Sequence, residues 1–271
     1  VEYDYKTNIP SGTKGRIQVS PNRSDDFTDI SVKTSFSYML RENNFLFANL
    51  SIGNRAPQVT DLYRIQSKQV PGGADSEELE SFEIGFRGVS NIGLEYEIVG
   101  YAMQKENYFF RDSQGFNVEN GVTKHNGIEF NYYKAFGDNF EISGSLSFAD
   151  HEYDFNHSPN KIVKGNTIDS APKELANTRF AYLTSNGGKF ELEWIRVGDY
   201  PINESNAHNY EGLDIFNLSL KGDLTSNSSI GLTVRNLSDE RYATRADYAF
   251  GSYRYFVGNE REFYLSLEQQ F

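Results

Sequence analysis

The sequence has no cysteine, so neither a disulfide-stapled module nor a thiolate metal site can be built from it. It also lacks a basic excess. Against 38 Asp and Glu stand only 26 Lys and Arg, a formal net charge of −12, which argues against nucleic acid as a partner. No apolar run approaches the ~20 residues a membrane helix needs, and helical periodicity is nowhere sustained. The opening Val1-Glu2-Tyr3-Asp4-Tyr5 shows no basic n-region, apolar h-region or initiator Met, so residue 1 is expected to be a cut within a longer polypeptide. Aromatic rings, by contrast, are plentiful: 18 Tyr, 21 Phe and 1 Trp in 271 residues, too many for a disordered chain. A polar, acidic, ring-rich chain with short apolar stretches suits either a soluble all-β domain or an outer-membrane barrel.

Strict alternation of apolar and polar residues dominates. Val32, Thr34, Phe36, Tyr38 and Leu40 fall on one face, with Lys33, Ser35 and Ser37 on the other. The same pattern recurs in runs centred near Leu50, Ile84, Ile98, Phe130, Gly144, Phe180, Leu192, Leu218, Leu232 and Leu265. Successive strand side chains point to opposite faces, so these eleven runs predict eleven strands, each with one apolar and one polar face. The apolar faces carry no charge in their middles, whereas Glu83, Glu95, Glu97, Glu129, Glu141, Glu191 and Glu193 lie on the opposite faces. A Lys or Arg facing lipid costs about 2–4 kcal/mol at the midplane, which assigns the apolar face to the bilayer and the carboxylates to the interior. Tyr38, Phe45, Trp194 and Phe263, at the run ends, suit interfacial girdles.

The connections alternate in length. Short turns rich in Gly, Asn and Asp are expected near 41–44, 89–91, 137–139, 185–188 and 223–228, where hairpins need positive φ. Long polar connections are expected at 54–76, 106–122, 151–173, 200–210 and 238–258. Tight turns on one side and long loops on the other are the pattern of a membrane barrel. A soluble β-sandwich has no reason to repeat it five times.

Five segments carry a resemblance. Asn54-Arg55-Ala56-Pro57-Gln58-Val59-Thr60-Asp61-Leu62-Tyr63 is similar to the Arg-Ala-Pro…(Asp/Glu)-Leu-(Tyr/Phe) segment of TonB-dependent outer-membrane receptors. Glu80-Ser81-Phe82-Glu83-Ile84-Gly85 resembles the strand that follows it there, although the family's usual Pro is missing. Gly127-Ile128-Glu129, Ala171-Pro172-Lys173 and Asn236-Leu237-Ser238-Asp239-Glu240-Arg241-Tyr242 resemble further family segments, in the same order. The final Phe271, closing an alternating strand, resembles the terminal aromatic by which barrel-assembly machinery recognises outer-membrane proteins.

The resemblance covers about residues 27–271. It implies an antiparallel transmembrane β-barrel, of which about 11–12 strands are present from a total of about 22. Val1, Tyr3 and Tyr5 would be the remnant of a twelfth strand. Residues 1–271 would then form the carboxyl-terminal part of the barrel, with the plug domain and first barrel half absent. Further implications are an outer membrane of a Gram-negative bacterium, contact with the lipid bilayer and lipopolysaccharide, a TonB complex acting on the plug, and a ferric siderophore or similar ligand. Haem, cobalamin or an oligosaccharide would fit the same scaffold, and a passive channel is the alternative use of such a barrel.

Ligand contacts are expected on the long connections. Tyr108, Phe109, Phe110 and Arg111 form one cluster, and Tyr248, Phe250, Tyr253 and Tyr255 another. Rings and guanidinium groups hold planar anionic chelates by stacking and charge-assisted bonds, but the same rings would also pack loops on one another. Pro57 is expected to end its strand, Glu129 to point inward toward the plug, and Asn236 to form an Asx-type strand exit. His125, His151, His157 and His208 lack tight ligand spacing. The acidic loop around His151 reads as solvated, so no metal or cofactor is expected. No nucleophile elbow, P-loop or zinc-protease motif is present, and the chain does not read as an enzyme.

Overall fold

A computed structural model describes residues 1–15, 17–63, 73–113, 115 and 117–270. The expected role of Phe271 therefore lies outside the described residues. Four short strands open the chain: β1 (Glu2–Tyr5), β2 (Gly12–Lys14), β3 (Ile17–Val19) and β4 (Arg23–Asp26). The long strands follow as β5 (Val32–Arg41), β6 (Asn44–Arg55), β7 (Glu77–Val89), β8 (Glu95–Arg111), β9 (Asn117–Phe136), β10 (Phe140–Tyr153), β11 (Glu174–Leu183) and β12 (Lys189–Val197). After a small ribbon of β13 (Tyr200–Pro201) and β14 (Asn209–Tyr210) come β15 (Leu213–Thr225) and β16 (Ser228–Arg235). A hairpin of β17 (Ala243–Ala249) and β18 (Ser252–Val257) precedes the last strand, β19 (Glu262–Gln269). Among the described residues, helix is confined to the short α1 (Val59–Leu62) and a turn of 3₁₀ helix at Ser158–Asn160.

Eleven of these strands form one antiparallel sheet in the order β5-β6-β7-β8-β9-β10-β11-β12-β15-β16-β19. Each of the eleven alternating runs lies in one of them. The sheet is not closed on itself in this chain. Among the described residues no second sheet covers its apolar face, which excludes a sandwich: Phe36, Leu50, Ile128, Phe148 and Leu265 are all more than half exposed. An apolar face of that extent is untenable in water and natural against lipid. On the other face polar groups bind one another. Asn49 donates to Glu83 at 3.0 Å, while Glu193 accepts from Asn177, Asn217 and Arg179 at 2.8–2.9 Å.

The five short turns expected from the sequence fall at one end of the sheet, with positive φ at Asn43, Gly93, Gly137 and Gly187. Close strand approach demands Gly85, where an added Cβ would lie 2.6 Å from the Ile98 carbonyl oxygen and 2.5 Å from the Phe47 ring.

Four expectations need correction. Tyr3 and Tyr5 do form a strand, but β1 pairs with β4 in a separate ribbon and adds no twelfth strand to the sheet. The stretch 106–122 is not a long loop, because β8 and β9 continue their ladder to Arg111 and Asn117. Outside the bilayer the backbone ladder persists without an apolar face, so the loss of alternation there does not end the strands. The connections 200–210 and 238–258 are likewise folded, as the β13–β14 ribbon and the β17–β18 hairpin. Phe45 stands off the outward parity and meets Arg87, 5.9 Å from its ring, on the polar face.

Candidate functional site

The end opposite the short turns gathers the β8–β9 turn, the connection between β10 and β11, the β13–β14 ribbon and the β17–β18 hairpin. A buried apolar knot of Tyr200, Ile202, Ala243 and Ala246 ties the ribbon to the hairpin. The Tyr248 amide donates to the Ile202 carbonyl at 2.8 Å, and the Tyr210 hydroxyl accepts from the Ala243 amide at 2.9 Å. Between these elements opens a cavity of about 410 Å³. Arg111, Tyr248 and Phe250 all line it, so the fold brings members of both sequence-expected clusters to one place.

The rest of the lining was not foreseen. Arg245 and Arg254 flank Asp247, whose carboxylate accepts from the Arg254 Nε and lies 3.2 Å from Arg245. Asp112, Asp169 and Glu204 also line the cavity. Asp169 accepts from the Tyr153 hydroxyl at 2.7 Å, and Glu204 accepts from the Ser113 amide. Each of these residues is an isolated charge in a polar segment of sequence, and only the loop fold assembles them. Burial pushes the carboxyl groups of both Asp169 and Glu204 above the usual range.

A proton therefore binds both groups more tightly in the folded loops than in the unfolded chain. The stability this confers is complete below the ordinary carboxylate pKa and is lost as pH rises through the elevated folded values. Lowering the pH from about 7.5 to about 5 is expected to slow proteolysis of these loops. Glu204→Gln, which keeps an acceptor for Ser113 and removes the charge, should flatten that dependence. An unchanged pH profile in the variant would assign the effect elsewhere.

The aromatic side of the site is ordered around His208. Its ring stacks on Tyr248 at 3.7 Å, and its Nδ1 meets the Tyr253 hydroxyl at 2.8 Å. Tyr253 and Tyr255 lie parallel, 6.3 Å apart, each about half exposed. Phe250 projects from the hairpin tip, 74% exposed, with the Arg254 guanidinium 5.9 Å from its ring. The other expected cluster is largely consumed in packing. Tyr108 stacks on Phe110 at 5.2 Å, and Phe110 packs on Tyr153 at 5.7 Å. Phe109 joins a core of Leu62, Tyr63 and Ala74, and Arg111 donates to the Gly115 carbonyl at 2.9 Å.

The remaining motif residues act in the framework. β6 ends at Arg55, whose side chain binds Glu77 at 2.8 Å, and Ala56 and the buried Pro57 follow outside the ladder. Leu62 and Tyr63 are buried. The Tyr101 ring occupies the space over Gly127, and Glu129 lies with Glu83 and Tyr101 on the polar face. Asn236 sits 2% exposed at the exit of β16, with Leu237 partly exposed beside it. Asp239 accepts from the Arg261 amide, and the Tyr242 ring covers Gly258. His151 pairs not with His157 but with His125, Nδ1 to Nδ1 at 2.8 Å. Among the described residues no three His, Asp or Glu side chains converge as metal ligands.

A family model described as TonB dependent receptor-like, β-barrel, matches residues 1–237. Asp239, Tyr242 and Phe271 lie beyond that match. No curated protein matches the chain by sequence. Among solved structures, the ferric-catecholate import receptor Fiu of E. coli K12 is similar over all of this chain, with a TM-score of 0.77 and 16% identity. The ferric yersiniabactin uptake receptor FyuA of Yersinia pestis is similar over 93% of it, with a TM-score of 0.73 and 16% identity. The copper transporter OprC is similar over 92%, with a TM-score of 0.72 and 17% identity. The chain spans only 40%, 38% and 42% of those three chains respectively.

Proposed function

The chain belongs to the TonB-dependent receptor β-barrel family, and on that premise we propose that it is the carboxyl-terminal part of the wall of an outer-membrane active-transport receptor. In this reading a plug domain and the first barrel half complete the parent protein. The TonB complex works through that plug, and the bilayer with its lipopolysaccharide surrounds the wall. The cargo is a ferric siderophore or a similar iron complex. The single observation that carries the cargo assignment is the cavity at the loop end. Guanidinium groups of Arg111, Arg245 and Arg254 stand there beside the rings of Tyr248 and the exposed Phe250. Cations recognise an anionic chelate through charge-assisted bonds, and rings recognise its planar groups by stacking. Asp247, paired with both Arg245 and Arg254, holds those two cations in place.

The test uses the natural-length protein in cells from which it has been deleted and to which it is restored. Uptake of radioactive iron from a panel of catecholate, hydroxamate and carboxylate siderophores is measured with and without a working TonB. Restoration of uptake by at least one of them, only when TonB works, is the expected outcome. Uptake independent of TonB would instead mark a passive channel, and uptake of none would remove the iron-complex reading.

A further inference from the structure

The His125–His151 pair has no part in the loop-end cavity, and 26 residues of sequence separate its members. The sheet sets them side by side. Along β8, β9 and β10, Met103 lies directly opposite His125, and His125 directly opposite His151. Directly opposed residues share a face, with Cβ atoms about 4.5–5.5 Å apart. One thioether and two imidazoles therefore stand in a single row across three strands. That face is the polar one, because Met103 lines the same recess as Glu83, Tyr101 and Glu129.

The two Nδ1 atoms face each other at 2.8 Å, a contact that needs a proton on one of them. The second nitrogen of His125, Nε2, lies 3.0 Å from the hydroxyl of Thr123, which is 1% exposed. A hydroxyl both donates and accepts, so Thr123 holds the His125 ring in either tautomer. A bond of this kind to the far nitrogen is what orients an imidazole that ligates a metal. In the row above, Tyr153 is 1% exposed and packs on Phe110 at 5.7 Å and on Phe155 at 5.8 Å, which covers the pair on that side. Lys105, in the same upper row, is turned to Glu77 at 3.7 Å and to the Tyr108 ring at 4.8 Å.

We propose that Met103, His125 and His151 bind one cuprous ion on the polar face of the wall. The donor set selects the ion. A thioether is a soft ligand that favours Cu(I), and imidazole suits copper as well. All three donors are neutral, and among the described residues no carboxylate stands on this face in the rows directly above and below. A monovalent ion therefore leaves less charge uncompensated than a divalent one. Zinc would need a fourth ligand to complete its tetrahedron, whereas Cu(I) is stable with three donors. Metal–nitrogen bonds of about 2.0–2.1 Å place the two nitrogens roughly 3.3–3.5 Å apart, so the rings need part by well under about 1 Å. The Nδ1 proton passes to Nε2 of the same ring, and at His125 the Thr123 hydroxyl accepts it there. This site takes a bare ion and is separate from the chelate cavity at the loop end.

The natural-length receptor, purified in detergent, would be titrated with Cu(I) against the colorimetric chelator bicinchoninate. His151→Gln is expected to remove one bound Cu(I) per chain. Met103→Leu, which nearly conserves volume, should weaken the same equivalent about tenfold. X-ray absorption of the protein loaded with one equivalent should show a sulfur neighbour that Met103→Leu loses. Met103→Leu decides the matter if His151→Gln folds poorly. Equal Cu(I) binding in the wild type and both variants would overturn the site and leave the His125–His151 contact as a hydrogen bond of the wall. Zn(II) held as tightly as Cu(I) would overturn the choice of ion. Iron uptake plays no part in this readout, so the site and the cargo reading stand or fall separately.

Discussion

Phe250→Asn is expected to stabilise the β17–β18 hairpin and at the same time to weaken ligand capture. The hairpin closes through two residues, with Ala249 paired to Ser252 and positive φ at both Phe250 (54°) and Gly251 (79°). Such turns favour Asn, Asp or Gly at the first position, because a bulky side chain in the left-handed region crowds the following carbonyl. The strain costs about 1–2 kcal/mol. No burial offsets it, since the ring is three-quarters exposed. A strained, exposed ring at the rim of the loop-end cavity fits the ligand contact proposed above. Asn should therefore raise hairpin stability by about 1 kcal/mol, read as slower hydrogen exchange of the Tyr253 and Tyr255 amides. Binding of the chelate proposed as cargo should fall about tenfold, equivalent to about 1.4 kcal/mol. Unchanged affinity would reduce Phe250 to an incidental residue. A fall in both stability and affinity would show that the ring supports the hairpin itself.

The largest stability loss is expected at Asn236. Its backbone N–H donates to Asn217 at 2.9 Å, and its side-chain amide donates to the carbonyls of Glu240 at 2.9 Å and Asn259 at 3.1 Å. Its side-chain oxygen accepts from the Glu240 amide at 2.8 Å. One buried side chain thus fastens the exit of β16 to the approach of β19, across the whole β17–β18 excursion. Ala would strand one donor and two acceptors and would also sit at a positive φ of 50°. Each stranded group costs about 1–3 kcal/mol, and the losses are not additive, so a total of about 3–5 kcal/mol is expected. Urea unfolding of the detergent-refolded receptor would measure it. Asn236→Asp, which keeps the acceptor and loses the donor, should fall between. A loss below about 1 kcal/mol for Ala would mean that water replaces these bonds readily.

The eleven strands were legible because each must cross an apolar slab and present a different face to each side. That requirement writes itself into every second residue, as in Phe82, Ile84 and Phe86 against Glu83 and Arg87. Above the slab the constraint vanishes. Tyr108 to Arg111 and Asn117 to Val122 remain in β8 and β9, yet nothing in their polarity distinguishes them from a loop. The ring clusters were visible as composition, and the fold sorted them: Phe109 went into a core and Phe250 into the open. The carboxylates were not visible. Asp169, Glu204 and Asp247 lie far apart in sequence, and each became part of the cavity only when three separate connections folded over one another. Asn236 was foreseen as a strand exit, and the structure adds the span it fastens.

The length of the β8–β9 ladder sets the height of the loop-end cavity. Seventeen residues in β8 extend roughly 55 Å, or about 40 Å of height at the tilt usual for such walls. An apolar band about 25 Å tall uses little more than half of that. The remainder is a stiff mast that carries the cavity roughly 15 Å above the apolar band. The anionic cargo proposed above would meet the guanidinium groups and carboxylates of that cavity before it reached the repelling phosphates below, so its rate of encounter should be governed by the loops' own field.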